Sequence, residues 1–102
     1  MRKAMAETQY RASRVCRILG NPTAYQIVRL LEDKKMRPSD IAEELGISMT
    51  LVSATLRVLR NIDVLRYETK GKEKYYWLKE ETIETVCNTL EKFVTKIRHK
   101  TF

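Results

Sequence analysis

No apolar run in this chain approaches the roughly 20 residues that span a bilayer, and Met1-Arg2-Lys3-Ala4-Met5-Ala6-Glu7 lacks a continuous apolar signal core. Membrane insertion and export are therefore not expected, and the chain is read as cytoplasmic. Histidine occurs once, at His99, without an evident Ser, Cys or carboxylate constellation, and there is no phosphate-binding glycine loop. Nothing supports an enzyme, and no cofactor is expected. Glycine and proline are sparse: breakers fall only at Gly20-Asn21-Pro22, Arg37-Pro38, Gly46 and Gly71, so no linker, repeat or low-complexity tract divides the chain. Residues 1–102 read as one domain, small enough that pairing with a second copy would add stability. Cysteine is confined to Cys16 and Cys87, which in a cytoplasmic chain read first as small buried hydrophobes, a disulfide being the sharper alternative.

What is abundant is positive charge. Lys and Arg exceed Asp and Glu by 20 to 13, a net charge of +7 that favours a polyanionic partner. Charge alone does not choose among DNA, RNA and an acidic membrane. The breakers cut the chain into five helical segments and one hairpin. The first helix, roughly Ala4 to Leu19, carries Ala12, Val15, Cys16 and Leu19 at the spacing of a buried stripe. Asn21 caps a second helix with Pro22 at its first position, and Ala24, Ile27, Val28 and Leu31 repeat the stripe. Ser39 is read as the cap of a third helix whose Ile41, Ala42 and Leu45 face inward, and Gly46 supplies the tight turn that ends it.

Ser48 then caps a fourth helix, Met49 to Asn61, anchored by Val52, Leu56 and Leu59. Thr50, Ser53, Ala54 and Arg57 fall on the opposite face, which is small, polar and cationic. Such a face fits the major groove, about 12 Å wide, where hydroxyls exchange hydrogen bonds and Arg pairs bidentately with guanine. Residues 64–69 and 74–78 are rich in β-formers and flank Lys70-Gly71-Lys72-Glu73, a turn whose Gly71 supplies positive φ. Lys70, Lys72 and Lys74 at this tip are candidate phosphate contacts. Tyr75, Tyr76 and Trp77 could stack on unpaired bases, but Trp77 and at least one tyrosine are expected in the core. A helix-turn-helix over 38–61 followed by a wing over 64–78 gives a mainly α fold with a small hairpin, ordered α-α-α-α-β-β-α. A winged helix-turn-helix of this kind lies on double-stranded DNA. In the last helix, residues 80–100, Ile83, Val86, Cys87, Leu90, Phe93, Val94 and Ile97 form a stripe longer than a terminal helix needs, so it is expected to meet its twin in a homodimer. The competing reading packs the stripe within one chain.

Ile18-Leu19-Gly20-Asn21-Pro22-Thr23, Ile27-Val28-Arg29-Leu30-Leu31, Asp40 to Ser48, Val52-Ser53, Leu56 to Arg60, and Gly71-Lys72 before Tyr75-Tyr76-Trp77-Leu78 closely resemble the ArsR-type (ArsR/SmtB-like) winged-helix repressors, in order and over about three quarters of the chain. The resemblance implies that the segment from Ser48 to Arg60 is the recognition helix, that the hairpin is the wing, and that the first helix (4–19, with Val15, Cys16 and Leu19) pairs with the last across the dimer. It makes Ser48, Thr50, Ser53 and Arg57 base-or-phosphate candidates, with Met49 and Ala54 beside them. The family often has Gln where Met49 stands and His where Thr55 stands, so base preference does not carry over. Many relatives place a metal-binding Cys-x-Cys at the entry to the third helix, where this chain has Arg37 and Ser39. Others use Asp and His on the last helix, which here offers only His99. No metal is expected. The combined expectation is a sequence-specific transcriptional regulator, a repressor by resemblance, with a low-specificity architectural binder or a thiol-responsive regulator acting through Cys16 and Cys87 as alternatives.

Overall fold

Asn21 accepts a hydrogen bond at Oδ1 from the Ala24 amide at 3.1 Å, and Ser48 accepts one at Oγ from the Leu51 amide at 3.1 Å. These two caps start α2 (Pro22–Leu30) and α4 (Met49–Asn61) where the sequence places them. The computed structural model describes residues 3–101, with side chains as far as residue 98. The remaining elements are α1 (Glu7–Leu19), α3 (Pro38–Leu45), β1 (Leu65–Lys70), β2 (Glu73–Leu78) and α5 (Thr82–Thr101). Gly46 turns between α3 and α4 with φ 67°, the left-handed conformation expected of it.

Several boundaries differ from the sequence reading. α1 begins at Glu7, after Ala6, rather than at Ala4. The cap residue of α3 is Arg37, not Ser39: Pro38 takes the first helical position, and the Asp40 carboxylate accepts from the Arg37 amide at 3.1 Å. The strands pair from Leu65↔Leu78 to Lys70↔Glu73, so Lys70 and Glu73 belong to the ladder and only Gly71 and Lys72 turn.

Leu19, Ala24, Ile27, Val28, Leu31, Ile41, Val52, Leu56, Leu59, Val64, Leu65 and Cys87 form one core. α2 and α4 cross its centre, and their apolar stripes match the sequence periodicity. The first stripe does not stay covered: Leu19 is buried and Val15 half-buried, but Ala12 and Cys16 are exposed, because α1 docks through its C-terminal end. The hairpin register explains a second correction. Tyr67 and Tyr76 share the inward face with Leu65 and Leu78, whereas Arg66 pairs with Trp77 on the outward face. Tyr76 therefore packs on the core, while Trp77 lies half-buried beneath the Lys35 ammonium, 4.5 Å from its ring centre.

Candidate nucleic-acid interface

The buried side chains of α4, Val52, Leu56 and Leu59, fix its rotation about its own axis. That rotation leaves Met49, Thr50, Ser53, Ala54 and Arg57 exposed on the other side. Ser48 is exposed as well, but its Oγ is occupied as the helix cap. The helix carries no acidic side chain, so this face presents hydroxyls, a thioether and cations.

Beside it lies a cleft of about 350 Å³ between α4 and the wing, lined by Ser53, Arg57, Arg60, Tyr67, Lys74 and Tyr76 together with Pro38 and Leu56. Arg60 and Lys74 stand over the Tyr67 ring, 5.3 and 4.8 Å from its centre, and the Tyr67 and Tyr76 rings are 5.3 Å apart. No carboxylate lines the cleft, and Arg57, Arg60 and Lys74 make no ion pair among the described residues. A guanidinium or ammonium without a protein counter-charge is available to phosphate. Arg60 and Tyr67 were not singled out by the sequence. Ser53, Arg57 and Arg60 stand at i, i+4 and i+7, so helical spacing could have found Arg60, whereas Tyr67 needed the strand register.

The three wing lysines are not equivalent. Lys74 shares the inward side with Tyr67 and faces the cleft. Lys70 lies on the outward side, 3.6 Å from the Glu68 carboxylate and 5.7 Å from the centre of the Tyr75 ring, and Lys72 stands exposed at the tip.

The wing is tied to the body by the segment before α3. Met36 forms a bridge with Tyr76 through hydrogen bonds of 3.0 and 2.8 Å. Arg37 grips Asp40 through Nε and Nη2 at 2.9 and 2.8 Å and reaches Glu73 at the start of β2 through Nη1 at 2.9 Å. Hydrogen bonding to these carboxylates raises the Arg37 pKa above its ordinary range, and the same guanidinium holds the Asp40 carboxyl below its own. Lys35 contacts Glu68 at 3.3 Å and lowers that carboxyl likewise. The position that the family resemblance assigns to a metal-binding thiolate thus holds a wing anchor.

On the far side, Val86, Leu90, Phe93, Val94 and Ile97 of α5 are each at least 40% exposed. Among the described residues they are not part of the core or packed on it, whereas Cys87 and Leu19 lie in the core and Ile83 packs on it. Both cysteines are free; burial pushes the Cys87 thiol above its ordinary pKa, and Cys16 is exposed. No group of three or more His, Cys, Asp and Glu fit to hold a metal ion occurs among the described residues, and the His99 side chain lies outside them. No helix among the described residues is long and apolar enough to cross a membrane.

The family model for bacterial regulatory proteins of the arsR family matches residues 21–67. The transcriptional repressor SdpR of Bacillus subtilis (strain 168) is 30% identical over 82 residues, 80% of this chain and 91% of that protein. HlyU from Vibrio cholerae N16961 shares the fold with a TM-score of 0.78 at 18% identity, covering 87% of this chain and 97% of its own. The homodimeric winged helix-turn-helix DNA-binding domain Mb0332 from Mycobacterium bovis, described as a possible ArsR-family transcriptional regulator, does so with a TM-score of 0.79 at 21% identity, covering 94% of this chain and 92% of its own.

Proposed function

Since this chain belongs to the arsR family of bacterial regulatory proteins, and is a transcriptional regulator of that family, we propose that it is a repressor binding a pseudo-palindromic DNA operator as a homodimer. The observation that carries this reading is the continuous acid-free surface made by the exposed face of α4 and the cleft at its side, where Arg57, Arg60 and Lys74 converge. Thr50, Ser53, Ala54 and Arg57, with Ser48 and Met49 at the entry, contact base edges or the adjoining backbone. Lys72 and Lys74 contact phosphates, and Lys70, on the outward face, contributes less. Val86, Leu90, Phe93, Val94 and Ile97 form the dimer seam with the exposed side of α1, including Cys16; Leu19 and Cys87 support it from the core. A two-fold pair would present its recognition helices about 34 Å apart, on successive major-groove faces.

Selection of bound sequences from random duplexes tests this directly. A two-part operator is the expected result; equal affinity for all duplexes would instead make the protein a low-specificity binder. On the selected site, Arg57→Ala is expected to cost about 1–3 kcal/mol and relax one base position. Lys72→Ala is expected to weaken every duplex alike and to reduce the salt slope by roughly one unit. Equal loss on operator and random DNA in the Arg57 variant would reassign that residue to the backbone.

A further inference from the structure

α5 carries the stripe by which two copies meet in the reading above, yet within one chain it touches the body chiefly along α2. Its apolar attachment ends early. Ile83 and Cys87 pack inward, and the larger apolar residues that follow lie on the free face. So narrow an apolar contact fixes the start of a helix but leaves its tilt soft, because tilt is set by side chains interlocking along a length of surface.

Polar groups of α2 supply that length. Tyr25 and Arg29, one turn apart, face Glu84, Asn88 and Glu91, which succeed one another on one side of α5. The Tyr25 hydroxyl donates to Glu91 Oε2 at 2.7 Å and lies 3.3 Å from the Cys87 carbonyl oxygen. Burial, then the bond to Glu91, hold this phenol above its ordinary pKa. Arg29 donates through Nη2 to Asn88 Oδ1 at 2.8 Å and through Nη1 to the Glu84 carbonyl at 3.4 Å, while its Nε lies 3.3 Å from Glu91 Oε2. Its Nη1 also lies 2.9 Å from Glu32 Oε2, a buried oxygen with no aligned hydrogen bond, so the guanidinium is the neutralising neighbour of that carboxylate. A planar fork held from α2 and gripping two turns of α5 fixes its angle as well as its position, which an ammonium on a flexible stem would not.

We propose that Arg29, assisted by Tyr25, is the positioning residue that sets the tilt of α5 on the reading head and thereby the half-site spacing the dimer accepts. The inference rests on the dimeric operator-binding reading. A tilt of about 10° acting over a lever of about 20 Å moves a recognition helix by roughly 3.5 Å, about one base-pair step. Modest loosening of this clamp is therefore enough to blur spacing.

The test uses the selected operator with one or two base pairs inserted or removed between its half-sites. Wild type is expected to lose about tenfold or more in affinity on such sites. Arg29→Met is expected to dimerise, to bind a single half-site like wild type, and to lose less than about threefold on altered spacers; Arg29→Lys recovers only part of the discrimination. Tyr25→Phe, which deletes one hydroxyl, is expected to shift the preference in the same direction and serves where Arg29→Met fails to fold. A second readout is independent of DNA: spin labels at Ser53→Cys in a Cys16→Ser background report the distance between the two recognition helices. A narrow distribution in that background and a broad one on adding Arg29→Met is the expected result. An Arg29→Met dimer with unchanged spacing preference and an equally narrow distribution overturns the proposal. A wild type that selects no two-part operator defeats the functional reading, and the distance measurement then decides the clamp on its own.

Discussion

Gly46 holds φ 67° at the turn between α3 and α4, and a Cβ built there would meet nothing within 4 Å. The cost of a side chain at this position is therefore conformational rather than steric. Gly46→Ala is expected to cost about 1 kcal/mol and lower the melting temperature by about 4–8 °C, with Gly46→Asn losing less, as thermal melting would show. An unchanged melt in the alanine variant would mean that the turn relaxes to another geometry. Asp33 and Asp63 occupy the same region of φ with a side chain that tolerates it. The cysteines give a second prediction at this scale. Because Cys87 is enclosed by the core and its thiolate is disfavoured, it is not expected to form a disulfide with the exposed Cys16, and mild oxidant is expected to leave operator affinity unchanged both in wild type and in the Cys16→Ser, Cys87→Ser double variant. Zinc, cadmium and arsenite are expected to be without effect, since Arg37 and Ser39 offer no thiolate. A tenfold change, about 1.4 kcal/mol, in wild type alone would make the protein a redox sensor.

Among the secondary-structure elements, the wing shows how a hairpin too short to be stable alone acquires a fixed place. The Met36–Tyr76 bridge and the ion pairs of Lys35 and Arg37 hold it to the segment before α3, and this sets the width of the cleft against α4. Arg37→Met is expected to lower the melting temperature at neutral pH and to weaken DNA binding. The pH dependence follows from Asp40. Its folded pKa is depressed, so its pairing contributes stability above its unfolded pKa of about 3.9, and that stability is lost as pH falls through the lower folded value. The melting difference between wild type and Arg37→Met should therefore be full at neutral pH and shrink below about pH 4. A difference independent of pH would assign the effect of Arg37 to packing of its stem.

For the whole molecule, the apolar stripe of α5 and the net charge of +7 serve different ends. The stripe favours association and the charge favours a polyanion. Leu90→Asp places a carboxylate in the proposed seam without a partner; since Leu90 is 45% exposed in the single chain, the expected product is a folded monomer rather than an unfolded one. Sedimentation at low micromolar concentration checks this, and a dimer with unchanged melting would exclude Leu90 from the seam.

The helix stripes of α2 and α4, the Asn21 and Ser48 caps, the Gly46 turn and the exposed face of α4 follow from local spacing and local hydrogen bonds, which is why the sequence determined them by itself. The arsR-type assignment rests on the same residues. Three features were settled only by chain segments meeting in space. Trp77 and Tyr76 read alike in sequence, but strand register put one outside and the other on the core. Lys70 and Lys74 looked equivalent until the pleat sent them to opposite faces of the wing. Arg37 lay at an apparent break; its cap role is local, through Asp40, but its role as wing anchor required Glu73, 36 residues away, to be folded against it. Periodicity encodes which face of an element is apolar; it does not encode which charged partner a distant element will bring, and the cleft and the α2–α5 clamp are both built from such pairs.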